Sequence, residues 1–395
     1  MFAYGSSDPG ASPAPTRPRL DLFVLPGDGI GPEVVREGVL LLRELAPALP
    51  VDLRVREGAI GGFAVDETGD PLPADTLAAA LSADAVFLGA VGGPRWEDVP
   101  SERRPEQGLL RLRKEMRVFA NLRPLRLPPE LSFLSPLRPE VLGEGGLDVL
   151  IVRELVGGIY FGEPRGIFVE EGARVAVDTL RYREEEIARV VDIAFRIART
   201  QGKPLASVDK ANVLASSRLW REIVEAKRAD YPAVPVRHVL VDAFAMDLVR
   251  RPTAYGVVVT ENLFGDILSD LGGALVGSLG LLPSASLSEG GPHLYEPVHG
   301  SAPDIAGKGI ANPAGMLLTV AMFLRHTLSA EDAAAAVEAA VFATIARGRV
   351  TPDLAEACRR AHALGQCPAP EVLSTAEFGA AVREEVVRRV MRERG

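Results

Sequence analysis

The chain has 395 residues, 47% apolar and 25% charged, with a formal net charge of -9. That length predicts two domains, or one large α/β unit with a second lobe. The acidic balance argues against nucleic acid and anionic membrane surfaces as partners, so an anionic substrate would need a local cluster of Arg or Lys.

Residues 1–19 are rich in Gly, Ser, Pro and Ala and carry neither a charged start nor an apolar run, so the expectation is a disordered lead, not a secretory signal. Leu20–Leu25 is a short apolar strand running into Pro26-Gly-Asp-Gly-Ile-Gly-Pro-Glu33. Gly27, Gly29 and Gly31 permit a tight turn, and Pro32 suits the first position of a helix expected to continue to about Leu49. The spacing is G-x-G-x-G, and no acidic residue ends a suitably placed second strand. A Rossmann phosphate loop is therefore disfavoured against a strand-to-helix turn close to some ligand.

Val51–Val55 alternates as a strand, and Ala85–Val91 is a continuous apolar run of the kind found in buried parallel sheets. Strands alternating with helices indicate α/β architecture. A helix beginning at Glu106 presents Leu109, Leu110 and Arg113 on one surface, a pattern usually produced by core residues beside a snorkelling Arg. Two apolar stretches, Ala120–Pro124 and Leu150–Leu155, end near Arg123 and Arg153. A buried guanidinium needs a partner, so these three Arg either converge on carboxylates or make separate structural ion pairs.

Tyr160 falls in a glycine-rich turn, and residues 166–180 read as a protruding hairpin able to join subunits. An amphipathic helix covers Glu184–Thr200. Lys210 and Asn212 follow the strand that begins at Leu205, where the sites of α/β folds usually lie. Lys210 there is either a surface residue or, if buried, a base. Val239–Asp242 reads as an apolar strand ending on a carboxylate, and Tyr255–Thr260 as a further strand.

Asn262-Leu-Phe-Gly-Asp-Ile-Leu-Ser-Asp270 opens a helix expected from about Leu263 to Leu281. Asp266 and Asp270, one turn apart on one face, need a counter-charge: a divalent cation, or Arg or Lys. Asp242 supplies a possible third oxygen ligand. Leu294–Pro313 is a long loop rich in small residues, and loops of that length are usually functional. Amides near Gly300, Ser301 and Ala302 could cradle a phosphate or diphosphate, and Asp304 could accept from ribose hydroxyls. Helices follow at Met316–Leu328, Glu331–Gly348 and near Phe378–Met391. No apolar run reaches the roughly 18 residues of a membrane span. Two cysteines, Cys358 and Cys367, make neither a disulfide framework nor a zinc spacing, which fits a reduced, cytoplasmic setting.

Taken together the ordered motifs LPGDGIGPEV, GLLRLRKEM, FANLRP, IVRELVGGIYFGEPRG, VDKANVL, NLFGDILSDLGG, GLLPSASL and EPVHGSAPDIAGKGIANP resemble the isocitrate/isopropylmalate dehydrogenase family of β-decarboxylating dehydrogenases, over roughly residues 20–350. The resemblance implies a two-domain α/β fold with a mixed parallel and antiparallel sheet, not a Rossmann fold. Residues 20–118 with 277–395 would form the NAD-binding domain. Residues 119–276 would form a central domain with a dimerisation arm at about 154–180.

It further implies that Arg113, Arg123 and Arg153 bind the carboxylates of a malate core, and that Asp242, Asp266 and Asp270 hold Mg²⁺ or Mn²⁺. Lys210 would be the base for the C2 hydroxyl, and Tyr160 would take part in protonating C3. Lys210 and Asp242 would reach the site from a second subunit, making a homodimer the minimal active unit. NAD would lie along His299, Gly300, Ser301, Ala302, Asp304, Ile305 and Asn312, with Asn212, and with Gly93 and Glu106 toward the nicotinamide. Asp304 followed by Ile305 favours NAD, because a carboxylate there repels a 2′-phosphate.

The substrate expectation rests on Glu106, Leu109, Leu110 and Val213. Two Leu suit an isopropyl group, which points to oxidative decarboxylation of 3-isopropylmalate in leucine biosynthesis. Burying that group is worth roughly 1.5–3 kcal/mol. Related 2-hydroxy acids such as tartrate, malate, isocitrate and homoisocitrate are the alternative, and a non-catalytic ligand-binding relative a remote one. The sequence departs from the family in its long N-terminal lead. It also departs from Asp353 onward, where Ala355–Cys367 replaces a glycine-rich run and leaves the adenine-side contacts open.

Overall fold

The computed structural model describes residues 17–392. The expected disordered lead falls almost wholly on residues 1–16, outside the described residues. In chain order the strands longer than two residues are β1 (Arg19–Gly27), β2 (Asp52–Glu57), β3 (Ala85–Ala90), β4 (Val118–Leu127), β5 (Leu147–Glu154), β6 (Gly162–Glu170), β7 (Ala173–Thr179), β8 (Leu205–Asp209), β9 (Val236–Leu240), β10 (Val257–Thr260), β11 (Pro283–Ser288) and β12 (His293–Pro297).

Ten of these form one sheet in the order β2-β1-β3-β12-β11-β4-β5-β10-β8-β9. Its outer parts are parallel, and the middle is antiparallel where β11 pairs with β12 and β4, and β4 pairs with β5. The chain is α/β, as expected. A sheet covered on both faces needs strands apolar on both faces, and every residue of β3 and β8 is buried. Along β1, Leu22 and Val24 join one core while Phe23 and Leu25 join another, because alternate side chains leave opposite faces.

The pairing of β4 with β5 positions the site. Asn121 stands opposite Arg153, and Arg123 opposite Ile151. Residues two apart on a strand share a face, so Arg123 and Arg153 project from the same side of the sheet centre. The helix Asn262–Val276 follows β10 and lies across that side. Gly265 and Gly272 allow the approach: a Cβ at Gly265 would stand 2.6 Å from Arg153 Cγ, and one at Gly272 would stand 2.4 Å from Leu125.

Several expected boundaries move. The helix ends at Val276 instead of Leu281, because Gly277 takes a left-handed φ of 100° and a separate turn, Leu279–Leu281, follows. Asp242 does not end a strand; it sits in the first turn of the helix Val241–Arg250, where an acid suits the helix dipole. The expected long loop begins as strand β12, leaving Val298–Pro313 irregular. The helix Pro352–Ala363 was not anticipated; it buries Leu354, Ala355, Cys358 and Ala361 on one face. β6 and β7 form the expected hairpin apart from the main sheet, with Ile167, Phe168 and Val169 exposed at 64%, 42% and 73%.

Candidate active site

Arg123 and Arg153 are 7% and 3% exposed, so each must be satisfied internally. Arg123 donates through Nε to Asn121 Oδ1 at 2.7 Å and through Nη1 to Ser269 Oγ at 2.6 Å, Asp266 at 3.3 Å and Asp270 at 3.4 Å. Arg153 donates from Nε and Nη2 to Asn262 Oδ1 at 3.0 and 2.8 Å, and from Nη1 to Asp266. Tyr160 donates its hydroxyl to the other oxygen of Asp266 at 2.7 Å. Arg113 pairs with Glu296 of β12 at 2.6 Å, and its Nε is buried without a partner among the described residues. The three Arg thus converge; they are not scattered ion pairs.

The charges are closely coupled. Burial would raise the Asp266 carboxyl, but Arg153 and Arg123, with the Tyr160 hydroxyl, hold it below the ordinary range. Asp270, more exposed and only loosely paired, is pushed up by burial. Burial and the neighbouring Arg153 lower Arg123 to about 10. Burial, then Asp266, raises the Tyr160 phenol to about 12. Arg113, Arg123, Arg153, Tyr160 and Asp266 line a pocket of about 130 Å³, whose apolar wall is Leu110, Leu155 and Phe161. Leu109 instead packs beside a core cluster.

A second group lies apart from this pocket. Lys210, after β8, bonds to Asp242, whose carboxyl is lowered by that hydrogen bond. Beside them Asn212 lines a groove of about 490 Å³, and Val213 is 63% exposed. Among the described residues no three His, Cys, Asp or Glu side chains gather as a metal site. One chain therefore brings Asp266 and Asp270 together and leaves Asp242 elsewhere. Arg123 and Arg153 supply counter-charge to the helical pair.

The third group is the irregular stretch after β12. Ile30 N donates to Ser301 O at 2.8 Å, and a Cβ at Gly29 would stand 2.0 Å from that same oxygen. The glycine turn at residues 27–31 is thus the floor of this loop. A Cβ at Gly93 would come 4.0 Å from Ser301 Oγ, and one at Gly92 would meet Glu106 at 2.5 Å, so Gly93 and Glu106 border the same region. His299 is buried; its Nδ1 lies 3.0 Å from Gly300 O, and its Nε2 has no partner among the described residues. Donation from Nδ1 leaves Nε2 a bare acceptor, and burial lowers the imidazole and keeps it neutral. Gly300 and Asp304 are exposed, and Ala302 and Ile305 half-buried. Asn312 is already engaged, donating to Asp353 at 3.0 Å and accepting from Ala314 N at 3.0 Å.

Asn121, Asn262, Ser269 and Glu296 are functional neighbours that sequence reasoning passed over. Asn121 and Asn262 carry a readable signal: each is a polar residue within a quoted motif beside apolar neighbours, and they are 0% and 1% exposed. Leu155 and Phe161 carry none, since each reads as ordinary core.

A family model described as isocitrate/isopropylmalate dehydrogenase matches residues 21–382. The chain is 52% identical over 341 residues to a 3-isopropylmalate dehydrogenase of Aquifex aeolicus, covering 86% of this chain and 93% of that one. It is 55% identical over 333 residues to one of Anaeromyxobacter dehalogenans, covering 84% and 94%. Among solved structures, an isocitrate dehydrogenase of Methylococcus capsulatus superposes with a TM-score of 0.79 at 32% identity, covering 93% of this chain and 99% of that one.

Proposed function

The chain belongs to the isocitrate/isopropylmalate dehydrogenase family and is an oxidoreductase, and from that premise we propose that it oxidises and decarboxylates 3-isopropylmalate with NAD in leucine biosynthesis. The observation that carries the reading is the pocket in which Arg113, Arg123 and Arg153 meet beside Leu110. Guanidinium groups match carboxylates in bidentate fashion, and a branched aliphatic group prefers Leu110, Leu155 and Phe161 to water.

The charges of the pocket agree with a dianionic substrate. Arg113, Arg123 and Arg153 face Asp266, Asp270 and Glu296, three against three. Asp266 and Asp270 would hold Mg²⁺ or Mn²⁺, with Asp242 of a second copy as third ligand; oxygen donors suit either ion. That ion, when bound, stabilises negative charge developing on the substrate oxygen. Asp242 would arrive with Lys210 as its own counter-charge, so the ion's two positive charges would leave the site with an excess of two, matching two carboxylates.

Lys210, donated by the second copy with Asp242, takes the proton of the C2 hydroxyl. Tyr160, whose phenol keeps its proton at neutral pH, supplies one toward C3 after CO₂ leaves. NAD, the hydride acceptor, fits the Val298–Pro313 stretch because His299 Nε2 offers a buried acceptor that nothing among the described residues satisfies. Asp304 favours NAD over its 2′-phosphorylated form. The proposed cofactor domain would take in the strands β2-β1-β3-β12-β11 of the sheet, and the central domain β4-β5-β10-β8-β9. We further propose a homodimer joined through the arm and a cytoplasmic setting; no described helix is long and apolar enough to cross a membrane.

The test is NADH formation with Mg²⁺ over a panel of 3-isopropylmalate, malate, tartrate, isocitrate and homoisocitrate. The highest kcat/KM is expected on 3-isopropylmalate. Preference for isocitrate would overturn the argument from Leu110.

A further inference from the structure

Behind the pocket, one side chain outside the described chemistry touches several of the elements that carry it. Tyr182 lies between the arm and the helix Glu184–Gln201. Its hydroxyl accepts from Asn262 N at 3.0 Å and donates toward Glu261 Oε2 at 3.3 Å. Glu154, fully buried at the end of β5, is a second carboxyl beside the same phenol: its Oε2 and the Tyr182 ring both crowd the Cβ position of Gly157. The ring covers the Gly157–Gly158 turn: a Cβ at Gly157 would be 2.5 Å from the ring, and one at Gly158 would be 2.6 Å from the hydroxyl oxygen. Its edge meets Trp220 with centroids 6.1 Å apart.

Each contact leads to a working residue. Asn262 holds Arg153, and Glu261 caps the helix of Asp266 by accepting from Phe264 N at 2.8 Å and Leu263 N at 3.2 Å. Gly158 opens the short turn that ends at Tyr160. Trp220 belongs to the helix Ala215–Arg228, whose Ser217 Oγ accepts from Lys210 N at 3.0 Å.

We propose that Tyr182 is a positioning residue for the dehydrogenase reaction: its hydroxyl fixes the Gly157–Tyr160 turn against the start of the helix Asn262–Val276, and so aligns Tyr160 and Arg153 with the substrate. The inference rests on the functional reading above. The phenol has one proton and two carboxylates that want it. Arg189 faces Glu154 and Arg153 faces Glu261, yet burial outweighs both and raises each carboxyl. Two buried carboxylates around one phenol do not both ionise freely, so the cluster retains a proton that isolated groups would lose. The position of the turn then depends on the acidity of the phenol as well as on its shape.

Two variants separate these properties. Tyr182→Phe keeps the ring and removes the hydroxyl; kcat on 3-isopropylmalate is expected to fall about tenfold, as for a small misplacement of working groups. KM for NAD should stay within about twofold, because the cofactor loop is anchored on Ile30 and Asp353 instead. Tyr182→3-fluorotyrosine keeps the hydroxyl and makes it more acidic; the kcat–pH profile should move to lower pH while the melting temperature stays put. An unmoved profile overturns the proposal, and so does wild-type kcat in Tyr182→Phe. If Tyr182→Phe does not fold, the fluorotyrosine profile decides alone. A wild-type enzyme that forms no NADH on 3-isopropylmalate would sink the functional reading instead.

Discussion

Glu154 shows how a single carboxyl couples stability to pH. It accepts from Val156 N at 3.0 Å and Gly157 N at 2.9 Å, but burial dominates and pushes it up to about 7 from an ordinary 4.5. Between those values the folded chain holds a proton that the unfolded chain has released. Its contribution is therefore full below about pH 4.5 and is lost as pH rises through about 7, on the order of 3 kcal/mol in all. Denaturant unfolding of wild type and Glu154→Gln at pH 5 and pH 8 should show the wild-type advantage shrinking at the higher pH; a constant difference would remove this account. At this scale the sequence was partly readable. Arg123 and Arg153 announced themselves as charges closing apolar strands, because a buried guanidinium needs a partner. Their partners did not: Arg113 and Glu296 are 183 positions apart, and nothing local to either predicts the pair.

The helix Asn262–Val276 carries chemistry on one face and packing on another, and its glycines divide along the same line. Gly265 faces the stem of Arg153, while Gly272 faces Leu125. Gly265→Ala should displace Arg153 and lower kcat/KM for the substrate by about tenfold. Gly272→Ala should overpack the core at a cost of about 1–3 kcal/mol, leaving kcat/KM near wild type. Steady-state kinetics and thermal melts on both variants check the division. The stretch was legible as a helix because its apolar residues recur at helical spacing. Its end was not, because Leu279 and Leu281 continue the apolar pattern past Gly277 and only the left-handed backbone there reveals the stop. The Arg side chains that face this helix were likewise unreadable from it, since they stand on strands far away in sequence.

At the scale of the whole molecule the proposed active residues divide into a pocket group and the Lys210–Asp242 pair. Mixing answers whether two copies share a site. Lys210→Met and Asp266→Asn should each be inactive alone. After co-refolding, heterodimers with one intact site should restore roughly a quarter of wild-type turnover, the random-assortment expectation for a two-fold dimer. No recovery would mean that each copy works by itself. The alternation of strands and helices was plain from the pattern of apolar runs. The sheet order was not, because the return of β11 and β12 between β3 and β4 is set by pairing across more than a hundred residues.

The hairpin β6–β7 stands apart from the main sheet with both faces largely open, apolar tips included. An isolated pair of strands is marginal in water and needs a further surface to lie on. Its base runs straight into Tyr182 and the turn of Tyr160. In the proposed dimer, catalytic competence would therefore be a collective property: dilution would loosen the arm before it unfolded the core, and activity per molecule would fall while the fold persisted.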